Sequence, residues 1–236
     1  MSGRARLMLA AVAVLLLAAT FPLRLALGLA GVDATGLSAR GVTGTIWSGR
    51  LTDAAWRGAA LGTIDAGLAP LSLLRGEVRL NVQRDDALRG PLTGALLLSG
   101  GKGAADLTGH LSLGASLAVV PLDSIRLDGV TARFDRSGRC VEAGGKMTLA
   151  LALPVPGLDL AGGLTGPVAC RAERAEARLA SQSGMETLTL AMDGKGQWRA
   201  RLAVAAGSDP ALGALLRAAG FLPMGDALVL ARDGRW

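Results

Sequence analysis

The longest apolar stretch of the chain lies at its start, over residues 7–23, and contains no charged side chain. Arg24 can snorkel toward the head groups, so the stretch extends further and predicts a transmembrane helix over residues 7–27. Residues 1–6 carry two arginines and no acid precedes Asp33, so the positive-inside rule keeps this N-terminus in the cytoplasm. A cleaved signal peptide has the same order of parts and remains the alternative. Both interpretations export the rest of the chain.

Residues 28–36 form a predicted linker, and residues 37–236 form one exported domain of ordinary size. The clearest pattern in that domain spans residues 77–83, where apolar and polar side chains strictly alternate. The side chains predicted to point inward are Val78, Leu80 and Val82. This period of two predicts a β-strand with one wet face and one buried face.

Other segments repeat this alternation. Residues 107–113 follow a turn-rich stretch, and a run over 125–134 contains the turn signal Asp128-Gly129. Residues 149–153 alternate until Pro154. These patterns predict further short strands joined by turns, and Pro70 with the following LSLL predicts a brief turn or helical loop between strands.

The second half of the chain contains the strongest hairpin signal. Residues 188–192 and 198–204 both alternate, and the turn sequence DGKG at 193–196 separates them. A helix is predicted after Asp209, which can cap its first turn. The apolar face of that helix is predicted to contain Leu212, Leu215, Leu216 and Phe221.

Ten or more short strands with frequent turns predict a mainly β fold. We expect an N-terminal transmembrane helix, then a β-rich domain built as a curved antiparallel sheet or a sandwich, with one short C-terminal helix. Alternation alone leaves both of those architectures open.

Composition narrows the function classes. The chain has 34 glycines, 3% aromatic residues and a net charge of +6, and its basic residues are scattered singly. Proteins that bind nucleic acid concentrate basic residues on one face and add aromatic side chains for stacking. We therefore expect no nucleic-acid partner.

Two cysteines, Cys140 and Cys170, lie in the exported part. An even pair in an oxidising compartment is typical of a disulfide, so we predict a bond between them. Neither belongs to a Cys-x-x-Cys motif, and the only histidine, His110, is distant in sequence. We therefore predict no metal site and no cofactor.

No catalytic constellation is evident in the sequence. His110 falls on the predicted polar face of a strand, and Asp85 and Asp86 fall in a turn, so solvated surface is the expectation for all three. The chain is predicted not to be an enzyme.

The four tryptophans leave two interpretations open. Trp47, Trp56 and Trp198 are either large core residues, which we favour, or anchors for a partner. Trp236, at the end of the printed sequence, is the stronger candidate for an interface or a membrane surface.

Several motifs occur in a fixed order over the first hundred residues. They are FPL at 21–23, GTIWSG at 44–49, Trp56 followed by AALG at 59–62, and PLSLLRG at 70–76. In order and spacing they resemble those of the N component of the bacterial type II secretion system, the GspN family. The cysteine pair and LTGP at 164–167 also resemble variants of that family. The motif residues singled out as a candidate interface are Gly44, Trp47, Gly49, Trp56, Leu73, Leu74 and Gly76.

The resemblance implies a single-pass inner-membrane protein with a periplasmic β-rich domain. Such a protein is associated with the machine that moves folded proteins from the periplasm across the outer membrane. Its implied partners are other inner-membrane components of that machine and the inner membrane itself. Kinship with AsmA-like proteins, whose curved sheets present an apolar face, further implies lipid as a partner.

Three hypotheses follow. The favoured one is a structural accessory of the secretion apparatus, which contacts other components through the anchor and an exposed sheet edge. The second is a lipid-handling module, which requires an open apolar groove. That groove is predicted to contain Val78, Leu80, Val82, Leu107, Leu111 and Leu113. The third, a binder of a soluble ligand, needs a pocket of convergent polar groups, and the sequence shows none.

Overall fold

The computed structural model describes residues 3–29, 36–56, 59–86, 89–99, 102–112, 122–151, 162–205 and 210–235. The predictions that fall on Leu113, Leu153, Pro154, Asp209 and Trp236, and on residues 30–35 of the linker, lie outside these ranges.

In the described ranges, fifteen strands pair into one antiparallel sheet. They are β1 (Leu37–Ser38), β2 (Gly41–Gly44), β3 (Gly49–Trp56), β4 (Ala59–Leu68), β5 (Arg79–Arg84), β6 (Leu92–Leu97), β7 (Lys102–Ser112), β8 (Leu122–Phe134), β9 (Cys140–Leu151), β10 (Leu164–Arg171), β11 (Arg174–Ala180), β12 (Glu186–Met192), β13 (Gln197–Ala205), β14 (Leu222–Met224) and β15 (Ala227–Arg235). From β3 to β13 each strand pairs with the next in sequence, and β15 and then β14 follow β13. At the other edge, β1 and β2 pair with opposite ends of β3. The described residues therefore form one sheet and not the two sheets of a sandwich.

The register gives this sheet one apolar and one polar face. On four neighbouring strands, leucines lie opposite each other on one face of the sheet. The residues adjacent to them in sequence form a polar row on the other face. The apolar row contains Leu179, Leu188, Leu202 and Leu230, all buried, and the polar row contains Arg178, Thr189 and Arg201. Because side chains alternate along a strand, this separation follows directly from the sequence period of two.

Among the described residues, four helices accompany the sheet: α1 (Gly3–Ala19), α2 (Leu23–Leu29), α3 (Pro70–Leu73) and α4 (Pro210–Ala218). Two of them, α2 and α4, cover the apolar face near the two edges of the sheet. Leu23 of α2 is buried in a cluster with Leu51 and Ile64. Leu216 of α4 is buried in a larger cluster formed mainly by the strands from β8 to β15.

The N-terminal apolar segment is not one continuous helix. Thr20 and Phe21 separate α1 from α2, and Pro22 pairs with Thr45 in an isolated β-bridge. The predicted helix over 7–27 is wrong in this respect, because the segment turns back onto the sheet at Pro22. Within the described ranges, no helix combines the length and the apolar character that crossing a membrane requires.

The predicted turn at Asp128-Gly129 is also wrong. Both residues lie inside β8, which carries one extra residue relative to β7 and β9 at this point. Gly129 has φ +57, and its N–H donates to Thr108 Oγ1 at 3.0 Å. The glycine therefore accommodates a β-bulge, which shifts the inward position from Leu127 to Val130.

Other local predictions are confirmed. The hairpin β12–β13 forms around residues 193–196, and PLSL at 70–73 forms the short helix α3. Helix α4 ends in a Schellman arrangement, in which Gly220 has φ +91 and the Phe221 N–H donates to the Leu216 carbonyl at 3.0 Å. Leu215 is the exception on the predicted face of this helix, because it is mostly exposed.

Candidate functional site at the helix-bearing end of the sheet

The GTIWSG motif forms a tight loop between β2 and β3. The Thr45 N–H donates to the Ser48 carbonyl at 3.0 Å, and Gly44 adopts φ +84, which L side chains rarely tolerate. A Cβ on Gly49 would collide with Leu23 and lie 2.9 Å from the Thr45 carbonyl oxygen. The two glycines are therefore required by the backbone turn and by the close approach of α2.

This loop is clamped to the N-terminal helices. The Trp47 indole Nε1–H donates to the Ala18 carbonyl in the last turn of α1 at 2.8 Å. The Ile46 N–H donates to the Phe21 carbonyl at 3.0 Å, immediately before the Pro22 bridge. The end of α1 is thus held against the sheet by hydrogen bonds from consecutive residues of one motif.

The same loop contacts the end of β4. The Leu68 N–H donates to the Ile46 carbonyl at 2.8 Å. Gly67 lies so close to the Trp47 carbonyl that a Cβ there would collide with it. Trp47, Pro70 and Leu71 all line a groove of about 490 Å³. Because Trp47 also bonds to Ala18, α1, the loop and α3 lie at the same end of the sheet.

The PLSLLRG motif forms α3 and an ordered turn. The Ser72 carbonyl accepts hydrogen bonds from the N–H groups of Arg75 and Glu77, both at 3.0 Å. Gly76 adopts φ +74 with open space around it. Leu73 and Leu74 are 37% and 85% exposed, so these motif residues contribute surface and no core.

Charges at this end are paired on the polar face. Arg50 donates to both carboxylate oxygens of Asp65, at 2.6 and 3.0 Å. The hydrogen bond between the two side chains raises the pKa of Arg50 and lowers the pKa of Asp65. This bidentate pair fixes the orientation of the facing residues on β3 and β4.

Six of the seven motif residues meet at this end of the sheet, and Trp56 does not. It lies at the far end of β3, where it pairs with Leu37 and Ala59, and its side chain is 41% exposed. The preferred core interpretation is thus wrong for Trp56. Trp47 and Trp198 are half-buried, and the Trp198 ring lies against Gly234 of β15.

The predicted disulfide is present between Cys140 and Cys170. Pairing of β9 with β10 stops at Pro167, which has no N–H to donate, so the disulfide joins the two strands beyond the last hydrogen-bonded position. The Cys140 N–H also donates to the Glu173 carbonyl in the following turn at 2.7 Å.

One residue that the sequence analysis missed is Arg84, which is 1% exposed. Its guanidinium donates to the carbonyls of Leu61 (2.9 Å), Arg89 (3.1 Å), Gly90 (3.1 Å) and His110. The available signal was the alternation over 77–83, since its next inward position is 84. A charged residue at an inward position indicates a buried set of acceptors.

The residues weighed for catalysis are dispersed. His110 is half-buried on β7, and Asp86 accepts hydrogen bonds from the backbone and side chain of Arg89 in its own loop. In the part of the chain that the structure describes, no group of three His, Cys, Asp or Glu side chains is placed to hold a metal ion.

Together these features define a class: a β protein built on one long antiparallel sheet, with an apolar helix clamped to one end by a glycine-bounded loop. The chain belongs to the family described as type II secretion system (T2SS), protein N, whose family model matches residues 35–228. Comparison with curated proteins gives no match, and neither does comparison with solved structures. Membership of this family indicates a role in type II secretion together with other components of that system.

Proposed function

We propose that this chain is a non-enzymatic inner-membrane component of the type II secretion system that supports export of folded periplasmic proteins across the outer membrane. The observation that carries the proposal is the family match over residues 35–228, which includes nearly the whole sheet. The sheet then lies on the periplasmic side, where an oxidising environment is compatible with the disulfide.

Attachment to the membrane is supported by the surface of α1. Its large apolar side chains are exposed on all sides of the helix. They include Leu7, Met8, Leu9, Val12, Val14, Leu15, Leu16 and Leu17, each more than half exposed. A helix that is apolar all round needs an apolar environment, and the inner membrane provides it.

Contact with another component is supported by the free edge of β15. The Ala205 N–H donates to Met185 on the β12 side, so even-numbered residues of β13 bond to β15. Odd-numbered residues of β15 therefore face outward, and β14 pairs only with those up to Val229. Within the described ranges, the outward N–H groups of Ala231, Asp233 and Arg235 have no strand partner. Such an edge can accept a strand from another protein.

The experiment compares culture medium and periplasm from strains with and without the gene. We expect specific exoproteins to accumulate in the periplasm of the deletion strain and to be released when the full chain is restored. An unchanged set of secreted proteins would refute the secretion role.

A matched pair of variants tests the strand edge in the same assay. Ala231→Pro removes an outward N–H and leaves the bonds between β13 and β15 intact, whereas Ala231→Val keeps that N–H. We expect restoration of secretion by Ala231→Val and not by Ala231→Pro, at equal protein levels. Equal restoration by both variants would exclude this edge as the contact.

A second candidate function is a lipid-handling module of the cell envelope. It is favoured by the single sheet, whose apolar face carries several half-buried side chains near β5 and β7. These are Val78, Leu80, Val82, Leu107 and Leu111. The deletion experiment separates the two functions, because a lipid module predicts altered outer-membrane lipid or detergent sensitivity with normal secretion.

A further inference from the structure

Three exposed leucines lie at the end of the sheet that carries α1 and α3. They belong to the segments that follow β4 and β6. Leu71 and Leu74 are 73% and 85% exposed on the α3 turn, and Leu98, just after β6, is 55% exposed. Single exposed leucines are common, but a group of them on adjacent loops indicates a surface that meets an apolar partner. We call these three residues the apolar tip.

The apolar tip stands on an ordered backbone. Ser99 Oγ donates to the Gly76 carbonyl at 3.2 Å and accepts from the Val78 N–H at 2.6 Å. The Leu98 N–H donates to the Val78 carbonyl at 2.9 Å. These bonds hold Leu98 and Ser99 beside the turn that follows α3, so the leucines are presented together.

The apolar tip is tied to the point where α1 ends. Leu68, two residues before Pro70, bonds to the loop whose Trp47 holds the Ala18 carbonyl. This path has only two hydrogen bonds between the last turn of α1 and the strand that leads into α3. A surface that receives α1 therefore also lies close to the apolar tip.

The charges around the apolar tip are complementary to anionic head groups. Arg75 follows Leu74 directly, and Lys102 is exposed at the start of β7, next to Gly103, which pairs with Leu97. No acidic residue occurs from Ala66 to Gly76, and the next residue, Glu77, forms an ion pair with Arg133 at 4.0 Å. Apolar side chains flanked by cations are typical of a segment that lies in a membrane interface.

We propose that Leu71, Leu74 and Leu98 insert into the head-group boundary of an anionic bilayer and form a second membrane contact beside α1. This inference rests on the proposed attachment of α1 to the membrane. One helix alone leaves the sheet free to pivot, whereas two contacts at the same end fix its direction relative to the membrane.

The test uses the full chain with one added cysteine at a time. Among the described residues both native cysteines are in the disulfide, so an added thiol can be labelled selectively. An environment-sensitive fluorophore is attached at Leu74→Cys, at Leu15→Cys within α1, or at Met185→Cys. Met185 is the matched control, because it is an exposed apolar residue directly before β12, at the end of the sheet away from the apolar tip. The proteins are reconstituted into phosphatidylcholine vesicles with and without phosphatidylglycerol.

We expect the label at position 74 to shift to shorter emission wavelength, to be quenched by lipid-attached quenchers and to be protected from iodide. The effect should be stronger with phosphatidylglycerol, and the label at position 185 should remain open to iodide. If the label at position 15 reports lipid while that at 74 remains open to iodide, α1 attachment stands and the apolar tip proposal fails. If the label at position 15 also reports water, the proposed attachment itself fails.

Shielding of the label at 74 from both quenchers would overturn the proposal in favour of a protein contact, here with a second copy. Leu74→Gln is the folding control for this position. Because the side chain is exposed, this variant is expected to unfold at the same temperature as the native chain.

Discussion

Replacement of Arg84 by methionine tests how much the buried guanidinium stabilises the backbone segments to which it donates hydrogen bonds. The substitution keeps an unbranched apolar stem and removes every guanidinium donor. Four backbone carbonyls then lose their partner, including those of Leu61 and His110. These carbonyls lie where the backbone pairing between neighbouring strands is interrupted. For example, β4 pairs with β5 only from Asp65 to Leu68.

The magnitude follows from opposing effects. A hydrogen bond from a charged donor contributes about 1.5–3 kcal/mol, but four such values do not add, since the carbonyls share one donor group. Burial lowers the pKa of Arg84 because desolvation disfavours the cation, and the methionine variant avoids that cost. Leaving one buried carbonyl without a donor costs about 1–3 kcal/mol, so after these offsets we expect a net loss of about 3–5 kcal/mol for the four carbonyls together.

The assay is thermal unfolding of the full chain in detergent, followed by circular dichroism. A loss of about 3–5 kcal/mol corresponds to a fall in Tm of roughly 10 °C for a chain of this size. Arg79→Met is the matched control on the same strand, where the guanidinium lies 3.7 Å from Asp106 on the polar face. It should cost below about 1 kcal/mol. If both variants unfold within about 2 °C of the native protein, the clamp assigned to Arg84 contributes nothing and the reasoning is wrong.

Three further predictions concern single features. Reduction of the Cys140–Cys170 disulfide should lower the free energy of unfolding by about 3–4 kcal/mol, because it closes a loop with a sequence separation of 30, and Tm with and without reductant measures this. The hydrogen bond from the Ser137 hydroxyl is the main reason that the pKa of Asp135 is lowered to about 2. Asp135 should therefore stabilise the fold fully above its unfolded pKa and lose that contribution as pH falls toward 2, and NMR titration of its carboxyl measures the midpoint. Gly67→Ala should destabilise by about 1–3 kcal/mol, because the added methyl group collides with the Trp47 carbonyl, and Tm again measures this.

Each of these three predictions has its own control. Gly28→Ala in α2 meets no atom within 4 Å, so it should not lower Tm, and an equal loss at both glycines would contradict the collision. A Cys140→Ser/Cys170→Ser variant should be insensitive to reductant. For the acid range, Ser137→Ala removes the largest cause of the shift, so the Asp135 midpoint should rise. An unchanged midpoint would show that another group sets it.

Much of the strand content was predictable because side-chain alternation is a local property. The hairpin β12–β13 required only a period of two on either side of DGKG, and its register follows from the tight turn. The disulfide was predictable from an even cysteine pair in a chain whose N-terminal apolar segment predicts export. The short helix at Pro70 was predictable because proline is compatible with a first helical turn.

The errors arise where two structures share one local signal. Around Asp128-Gly129, the alternation of inward and outward side chains changes phase by one residue. Both a turn and a bulge produce this change. The structure has the bulge, because β7 and β9 both continue alongside β8 past this point. The break at Pro22 is similar: hydropathy records an apolar segment, and the bridge to Thr45 decides where it bends.

The candidate site shows the same division. The sequence by itself determined the motif residues, the two faces of the strands and the glycines that permit close approach. The tertiary structure decided that GTIWSG and PLSLLRG meet at the end of α1, while Trp56 lies at the far end of β3. It also decided that the strands form one sheet rather than two, and that Arg84 is buried. The physical reason is that alternation fixes which face a side chain occupies, whereas strand order and loop contacts depend on backbone hydrogen bonds between residues far apart in the chain.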